Sequence, residues 1–248
     1  MIRRLLTLRY DGTRYHGWQV QPNGVTVQQT LQDAIEALTG VRSGVIGCSR
    51  TDAGVHAEMF CCTFDSDSPL SDHAVVQGLN AHLPQDVAVY ACRRVAADFH
   101  PRYDAVGKRY TYRIWNSRAR HPFWAVRSAQ VVCPLDVARL NAAAQEYVGT
   151  HDFAAFCAAG SSVEDTVRTV TFANVQREGD LVTFTVEANG FLYNMVRIMV
   201  GTLLEMAMDK RPYDDIPRIL QSGLRTEAGR TAPAAGLTLE RVLYASEK

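Results

Sequence analysis

One carboxylate in this chain sits among residues that suit catalysis. Asp52 lies in Gly47-Cys48-Ser49-Arg50-Thr51-Asp52-Ala53-Gly54-Val55-His56-Ala57, a small-residue run between two stretches that read as strands. Arg50 comes just before it and Gly54 just after. Loops held by a rigid scaffold carry a disproportionate share of catalytic groups. An aspartate there can serve as a covalent nucleophile or a base, and either role needs it ionised. With a reference pKa of about 3.9 an exposed Asp is already ionised, whereas a buried one needs a cation beside it. Arg197 is the candidate cation, because it interrupts the otherwise apolar helical run from Phe191 to Leu203. Breaking a buried ion pair costs about 3–5 kcal/mol, so an arginine buried there implies a nearby acid. The plainer alternative is that its side chain snorkels to solvent at the helix edge.

Two further segments carry candidate groups. In Lys108-Arg109-Tyr110-Thr111-Tyr112-Arg113, strand alternation puts Tyr110 and Tyr112 on one face and Arg109, Thr111 and Arg113 on the other. A tyrosine so placed either packs the sheet or offers a stacking surface, worth roughly 1–3 kcal/mol against a base. Packing is the plain reading of both, and the better one for Tyr112. In Arg230-Thr231-Ala232-Pro233-Ala234-Ala235-Gly236-Leu237, Leu237 is either the apolar wall of a pocket or the first residue of a strand.

Bulk properties narrow the field. The six cysteines form no C-x-x-C pair and the seven histidines no H-x-x-x-H pair, which argues against a structural zinc site. Free thiols in a reducing cytoplasm are the expected state. No uninterrupted apolar stretch approaches the roughly 20 residues that span a bilayer. The amino terminus is too short and too charged to read as a secretory signal. Net charge is zero, yet it is segregated. Arg93 to Arg127 holds nine Lys/Arg against two Asp/Glu, while Cys61 to Cys92 holds four Asp and no Lys or Arg. Such a run is either a solvated face or a basic groove for nucleic acid.

The elements that must position these groups follow from periodicity and caps. Met1 to Tyr10 reads as a strand. Thr26 with Gln29 begins a helix that carries Leu31, Ile35 and Leu38 on one face and ends at Gly40. Val41 to Gly47 and Met59 to Phe64 are strands flanking the Asp52 loop. Ser71 caps a helix through Leu79, and Val87 to Val95 is a strand. This β-α-β-β-α-β order is the ferredoxin-like unit. A second set follows: a strand over Lys108 to Trp115, a helix over Leu135 to Val148 and a hairpin turning at Glu178-Gly179-Asp180. Helices over Phe191 to Met208 and Tyr213 to Leu220 come next, then a last strand over Leu237 to Tyr244. The expected class is α+β, with two ferredoxin-like halves (1–104 and 105–248) whose antiparallel sheets form a central cleft.

The Asp52 run resembles the catalytic loop of the TruA family of tRNA pseudouridine synthases, which usually reads Gly-Arg-Thr-Asp-Ala-Gly-Val-His-Ala. Ser49 replaces the usual glycine. The F-L-x-x-M-V-R segment ending at Arg197, the Lys108-Arg109-Tyr110 strand and the T-A-P-A-x-G-L run ending at Leu237 also resemble family segments, in the family's order. So do Tyr10-Asp11-Gly12-Thr13, Gly17-Trp18-Gln19, His100-Pro101-Arg102 and the run from Asp152 to Phe156. The resemblance implies isomerisation of uridines 38, 39 and 40 in the tRNA anticodon stem-loop to pseudouridine. That reaction breaks the N1–C1′ bond and rejoins uracil through C5, so no cofactor and no metal are needed. Asp52 would be the nucleophile, at C6 of uracil or C1′ of the ribose, or would promote glycal formation; Tyr110 would stack on the flipped base, and Arg197 would hold Asp52 ionised. Leu237 would wall the pocket. Arg50 would contact phosphate or fill the space of the flipped nucleotide. A cytoplasmic homodimer binding tRNA, with no membrane association, is also implied. Two other readings compete: a non-catalytic ferredoxin-like RNA-binding module, and a glycosidic hydrolase. A hydrolase usually needs two acids about 5–9.5 Å apart; here only Glu58 lies near Asp52 in sequence, on an expected strand, which argues against it.

Overall fold

The computed structural model describes residues 1–160 and 163–245. It is a mixed α/β protein whose strands pair mostly antiparallel. The chain forms two compact units, Met1–Val106 with the residues from Thr238 onward, and Gly107–Leu237.

The first unit runs β1 (Ile2–Tyr10), α1 (Val27–Thr39), β2 (Val45–Gly47), β3 (His56–Ser66), α2 (Asp72–His82) and β4 (Val87–Arg94). Local chemistry accounts for the helix ends. The Thr26 hydroxyl accepts from the Gln29 N–H at the start of α1, and Gly40 ends it in the left-handed region at φ 74°. The Ser71 hydroxyl accepts from the Ala74 N–H to open α2. Strand order is β4-β1-β3, with β2 pairing antiparallel to β3. The inward face of β1 is Arg4, Leu6, Leu8 and Tyr10, all buried. Arg4 is wholly inaccessible; its guanidinium donates to the Asp72 carboxylate and to the Ser68 and Leu70 carbonyls. A buried charge is tolerated because an acid and two carbonyls meet it.

The second unit carries β5 (Ala105–Trp115), β6 (Ala129–Gln130), α3 (Val137–Gln145), β7 (Gly149–Asp152), β8 (Val167–Glu178), β9 (Leu181–Ala188), α4 (Met195–Ala207) and α5 (Ile216–Ser222). Strand order is β5-β9-β8-β7, with β6 alongside β5. The expected hairpin forms β8 and β9, turning at Gly179 with φ 58°. Val182, Phe184 and Val186 of β9 are buried with Ala173 and Val175 of β8, Leu140 and Ala144 of α3, and most of α4.

Several expectations move. The strand before the Asp52 loop shrinks to three residues, and β3 starts at His56 rather than Met59. The apolar helix starts at Met195, because Asn194 adopts φ 59°, outside the helical region. Gly149, read as a helix stop, begins β7 instead, with φ 125°. The short helix begins at Ile216 with a proline in its first turn, where a missing N–H costs nothing. The C-terminal strand β10 (Leu237–Tyr244), expected within the half 105–248, groups with the first unit from Thr238. It pairs in parallel with β3 of the first unit, Thr238 opposite His56 and Leu239 opposite Ala57. No helix among the described residues is long and apolar enough to cross a membrane.

Candidate active site

In the first unit the Asp52 loop is fixed by its backbone. Gly17, at φ 83°, brings the neighbouring chain so close that a Cβ there would lie 2.5 Å from the Thr51 carbonyl oxygen. A Cβ on Gly12 would come within 2.0 Å of the Val55 carbonyl oxygen. Only glycine permits these approaches. Hydrogen bonds use the proximity. The Trp18 N–H donates to the Thr51 carbonyl at 3.0 Å, and the Gly54 N–H to the Tyr15 carbonyl at 3.3 Å. The Tyr10 and Thr51 hydroxyls meet at 2.8 Å. Within the loop the Val55 N–H donates to the Asp52 carbonyl at 3.1 Å, and Gly54 takes φ 77°.

The result is a half-buried Asp52 on a loop anchored by buried Thr51 and Val55, with Ala53 exposed between them. Trp18 stacks on Phe60 of β3 with centroids 4.0 Å apart, which anchors the long loop to the sheet. His56 accepts the Gly12 N–H at Nδ1, 3.0 Å away. Arg50 is exposed. The thiols behind the loop are poor competitors as nucleophiles. Burial pushes the Cys61 thiol up and Cys62 well up, so both stay protonated.

In the second unit, Tyr110 and Tyr112 do share the buried face of β5. Tyr110 meets Phe191 edge-to-face at 5.0 Å. Tyr112 is fully buried and its hydroxyl donates to the Pro233 carbonyl at 2.8 Å, so it is a packing residue. Burial raises its pKa, with the Arg197 charge pulling the other way.

Arg197 is half-buried near the start of α4. Its Nε donates to the Ala232 carbonyl at 2.7 Å and its Nη1 to the Asn194 side-chain oxygen at 2.7 Å. The Ala232 N–H returns a bond to the Arg197 carbonyl at 3.0 Å. The helix and the 229–236 segment touch backbone to backbone: a Cβ on Gly201 would come within 1.6 Å of the Arg230 carbonyl oxygen. A Cβ on Gly236 would meet the Tyr112 ring at 2.5 Å. Leu237, next in line, is buried. Tyr112, Arg197 and the Thr231-to-Leu237 run thus form one packed assembly.

A family model described as tRNA pseudouridine synthase matches residues 7–104 and 143–245. The chain belongs to this family. Proteins named tRNA pseudouridine synthase A align along nearly the full length. That of Acetivibrio thermocellus is 46% identical over 239 residues, covering 96% of this chain and 98% of its own. That of Myxococcus xanthus is 46% identical over 245 residues, covering 98% and 92%. That of Exiguobacterium sibiricum is 41% identical over 248 residues, covering 100% and 99%.

For a tRNA pseudouridine synthase, the support around the aspartate is what sequence reasoning underweighted. Tyr10, Trp18 and His56 hold the loop; the available signal was the glycine spacing in the 11–24 segment. The basic run also divides. Arg109 is engaged with Glu187 across the β5–β9 pair, Nε to Oε2 at 2.9 Å. Arg93, Arg94 and Arg102 are exposed on the first unit, and Arg118, Arg120 and Arg127 on the second. Among the described residues, no cluster of His, Cys, Asp and Glu is arranged to hold a metal ion.

Proposed function

We propose that this synthase isomerises uridines 38, 39 and 40 of the tRNA anticodon stem-loop, with Asp52 as the catalytic carboxylate. The observation that carries the proposal is Asp52 on a loop whose path is dictated by glycine-tight backbone contacts, in a chain of this family. A carboxylate that attacks the ribose or the base must arrive in a fixed geometry, and misplacement by about 1 Å costs roughly 10²-fold in rate. A loop clamped on two glycines supplies that fixity. The side chain itself is half-exposed, so it can meet substrate.

Tyr110 is assigned the flipped uracil as a stacking partner, Leu237 the apolar wall of the pocket, and Arg197 the role of counter-cation to Asp52. Arg50, exposed beside the loop, is assigned a phosphate or the space vacated by the flipped nucleotide. The six exposed arginines would bind phosphates, with salt-dependent affinity. Base flipping costs a few kcal/mol, least where pairing is weak, which suits a target near the loop end of a stem. The first unit's β-α-β-β-α-β order and β4-β1-β3-β2 pairing support its reading as a ferredoxin-like fold, and the second unit is read as a divergent copy. The enzyme is proposed to be a cytoplasmic homodimer that needs no cofactor.

The deciding experiment uses unmodified tRNA tritiated at C5 of uridine. Wild type should release label to water and Asp52→Asn should not, while both bind the tRNA. Binding by both proteins with release by neither would replace the enzyme with an RNA-binding module.

A further inference from the structure

The segment that follows β5, from Asn116 to Ser128, has no part in the site described above, yet it is built rather than loose. The Trp115 indole N–H donates to the Ala119 carbonyl at 2.8 Å. The Gln130 amide donates to the Ser117 and Arg118 carbonyls at 3.1 and 3.3 Å. The Ser128 hydroxyl donates to the Trp124 carbonyl at 2.8 Å, and the Trp124 N–H to the His121 carbonyl at 3.0 Å. Three rings form a ladder outward: Trp115 to His121 at 4.6 Å, then His121 to Phe123 at 6.0 Å. The outermost ring, Phe123, is 86% exposed.

An exposed phenylalanine on a preformed loop leaves a large apolar face open to an occupant, and covering it would recover burial that folding forgoes. Charge says which. Arg118 and Arg120 are exposed within five residues of Phe123 in the same segment, and the sequence holds no Asp or Glu between Asp104 and Asp136. An exposed aromatic face in an arginine-bearing run that carries no acid of its own matches an unpaired base flanked by phosphates: the ring takes the base by stacking and the guanidiniums take the backbone. A protein partner would have to be strongly acidic, and another copy of this loop would be repelled.

We propose that Phe123 is a stacking platform for an unpaired base of the substrate tRNA other than the target uridine, with Arg118 and Arg120 holding the adjoining phosphates. This rests on the reading of the chain as a tRNA-modifying enzyme, and it adds a second anchoring point that sets which RNAs are held well. Because the ring stacks rather than hydrogen-bonds, it tolerates any base.

The test measures Kd for unmodified tRNA in the Asp52→Asn background, so that binding is read without turnover. Phe123→Ala should weaken binding roughly 5- to 100-fold. Phe123→Trp should restore it. The dependence of affinity on salt should keep its slope in Phe123→Ala and flatten in an Arg118→Ala/Arg120→Ala double variant. Sedimentation of the same proteins without RNA should be unchanged. Unaltered tRNA affinity in Phe123→Ala overturns the proposal, and so does an affinity loss that tracks altered self-association. Failure of the catalytic reading would appear separately, as wild type that binds tRNA but releases no tritium.

Discussion

The two regions that carry the candidate chemistry are fixed by opposite means. The Asp52 loop is held by main chain against main chain: Gly12 and Gly17 admit the loop, and amides of Trp18 and Gly54 tie it to its neighbour. Arg197 is held by its own head group, with one guanidinium nitrogen on the Ala232 carbonyl and another on Asn194. The first arrangement fixes where a short side chain starts; the second fixes where a long one ends. An aspartate has little reach of its own, so its backbone must be placed. An arginine has reach and entropy to spare, so its tip must be caught. The loop should therefore be sensitive to added volume at positions remote from Asp52, and Arg197 to the shape of its own donor group.

The largest effect expected is for Asp52→Asn, which removes the proposed catalytic carboxylate while keeping size. Tritium release should fall by at least about 10³-fold with little change in melting temperature. Gly12→Ala comes next, because its Cβ would collide with backbone that cannot swing away. It should destabilise by about 1–3 kcal/mol in denaturant titration and reduce kcat roughly 10²-fold by shifting the loop. A Gly12→Ala enzyme with normal kcat would break the contrast drawn here. Arg197→Lys keeps the charge but loses the fork that reaches two acceptors. A drop in kcat/KM of about 10-fold or more is expected, against no loss if charge alone matters.

Smaller effects sharpen the same comparison. Tyr112→Phe leaves the Pro233 carbonyl without its donor, and should cost about 1–3 kcal/mol of stability while moving activity only through the segment it braces. The smallest effect concerns acid. In the second unit the Arg218 guanidinium beside Asp215 holds that carboxyl below its usual range, and in the first unit Arg3 does the same for Asp65. A carboxyl depressed on folding adds stability above its unfolded pKa, lost as pH falls through the folded one. Thermal stability should thus decline below about pH 4, and Asp215→Asn should flatten part of that decline.

The local half of this structure could be read directly from residues. Thr26, Ser71 and Gly40 act through neighbours three or four positions away, so α1 is bounded where expected and α2 begins where expected, although it runs past Leu79 to His82. The Asp52 loop and the 178–180 turn were equally plain. What stayed hidden was set by distant chain. Arg4 looks like a surface charge, yet alternation places it on the face of Leu6, Leu8 and Tyr10, where Asp72 meets it. Gly12 and Gly17 look like loop glycines, and only the proximity of Val55 and Thr51 explains them. The four residues of β7 are too few for a period, and they exist because β8 offers an edge. Arg197 illustrates the middle case: its placement in an apolar helix said that something must receive it, but not that a carbonyl at Ala232 would be among the receivers.

The return of β10 to β3 has a consequence for how the protein is made. The strand that completes this edge is encoded after the whole of the second unit. At about 5–20 residues per second, the ribosome needs on the order of ten seconds to reach it after finishing the first unit's earlier elements. Throughout that interval the newborn chain carries an open strand edge at His56 and Ala57, beside the loop that bears Asp52. Open edges invite wrong pairing, so the growing polypeptide is most exposed to aggregation beside the loop proposed to carry the catalytic carboxylate, and a ribosome that stalls late releases a protein with that loop present and its flank unsealed.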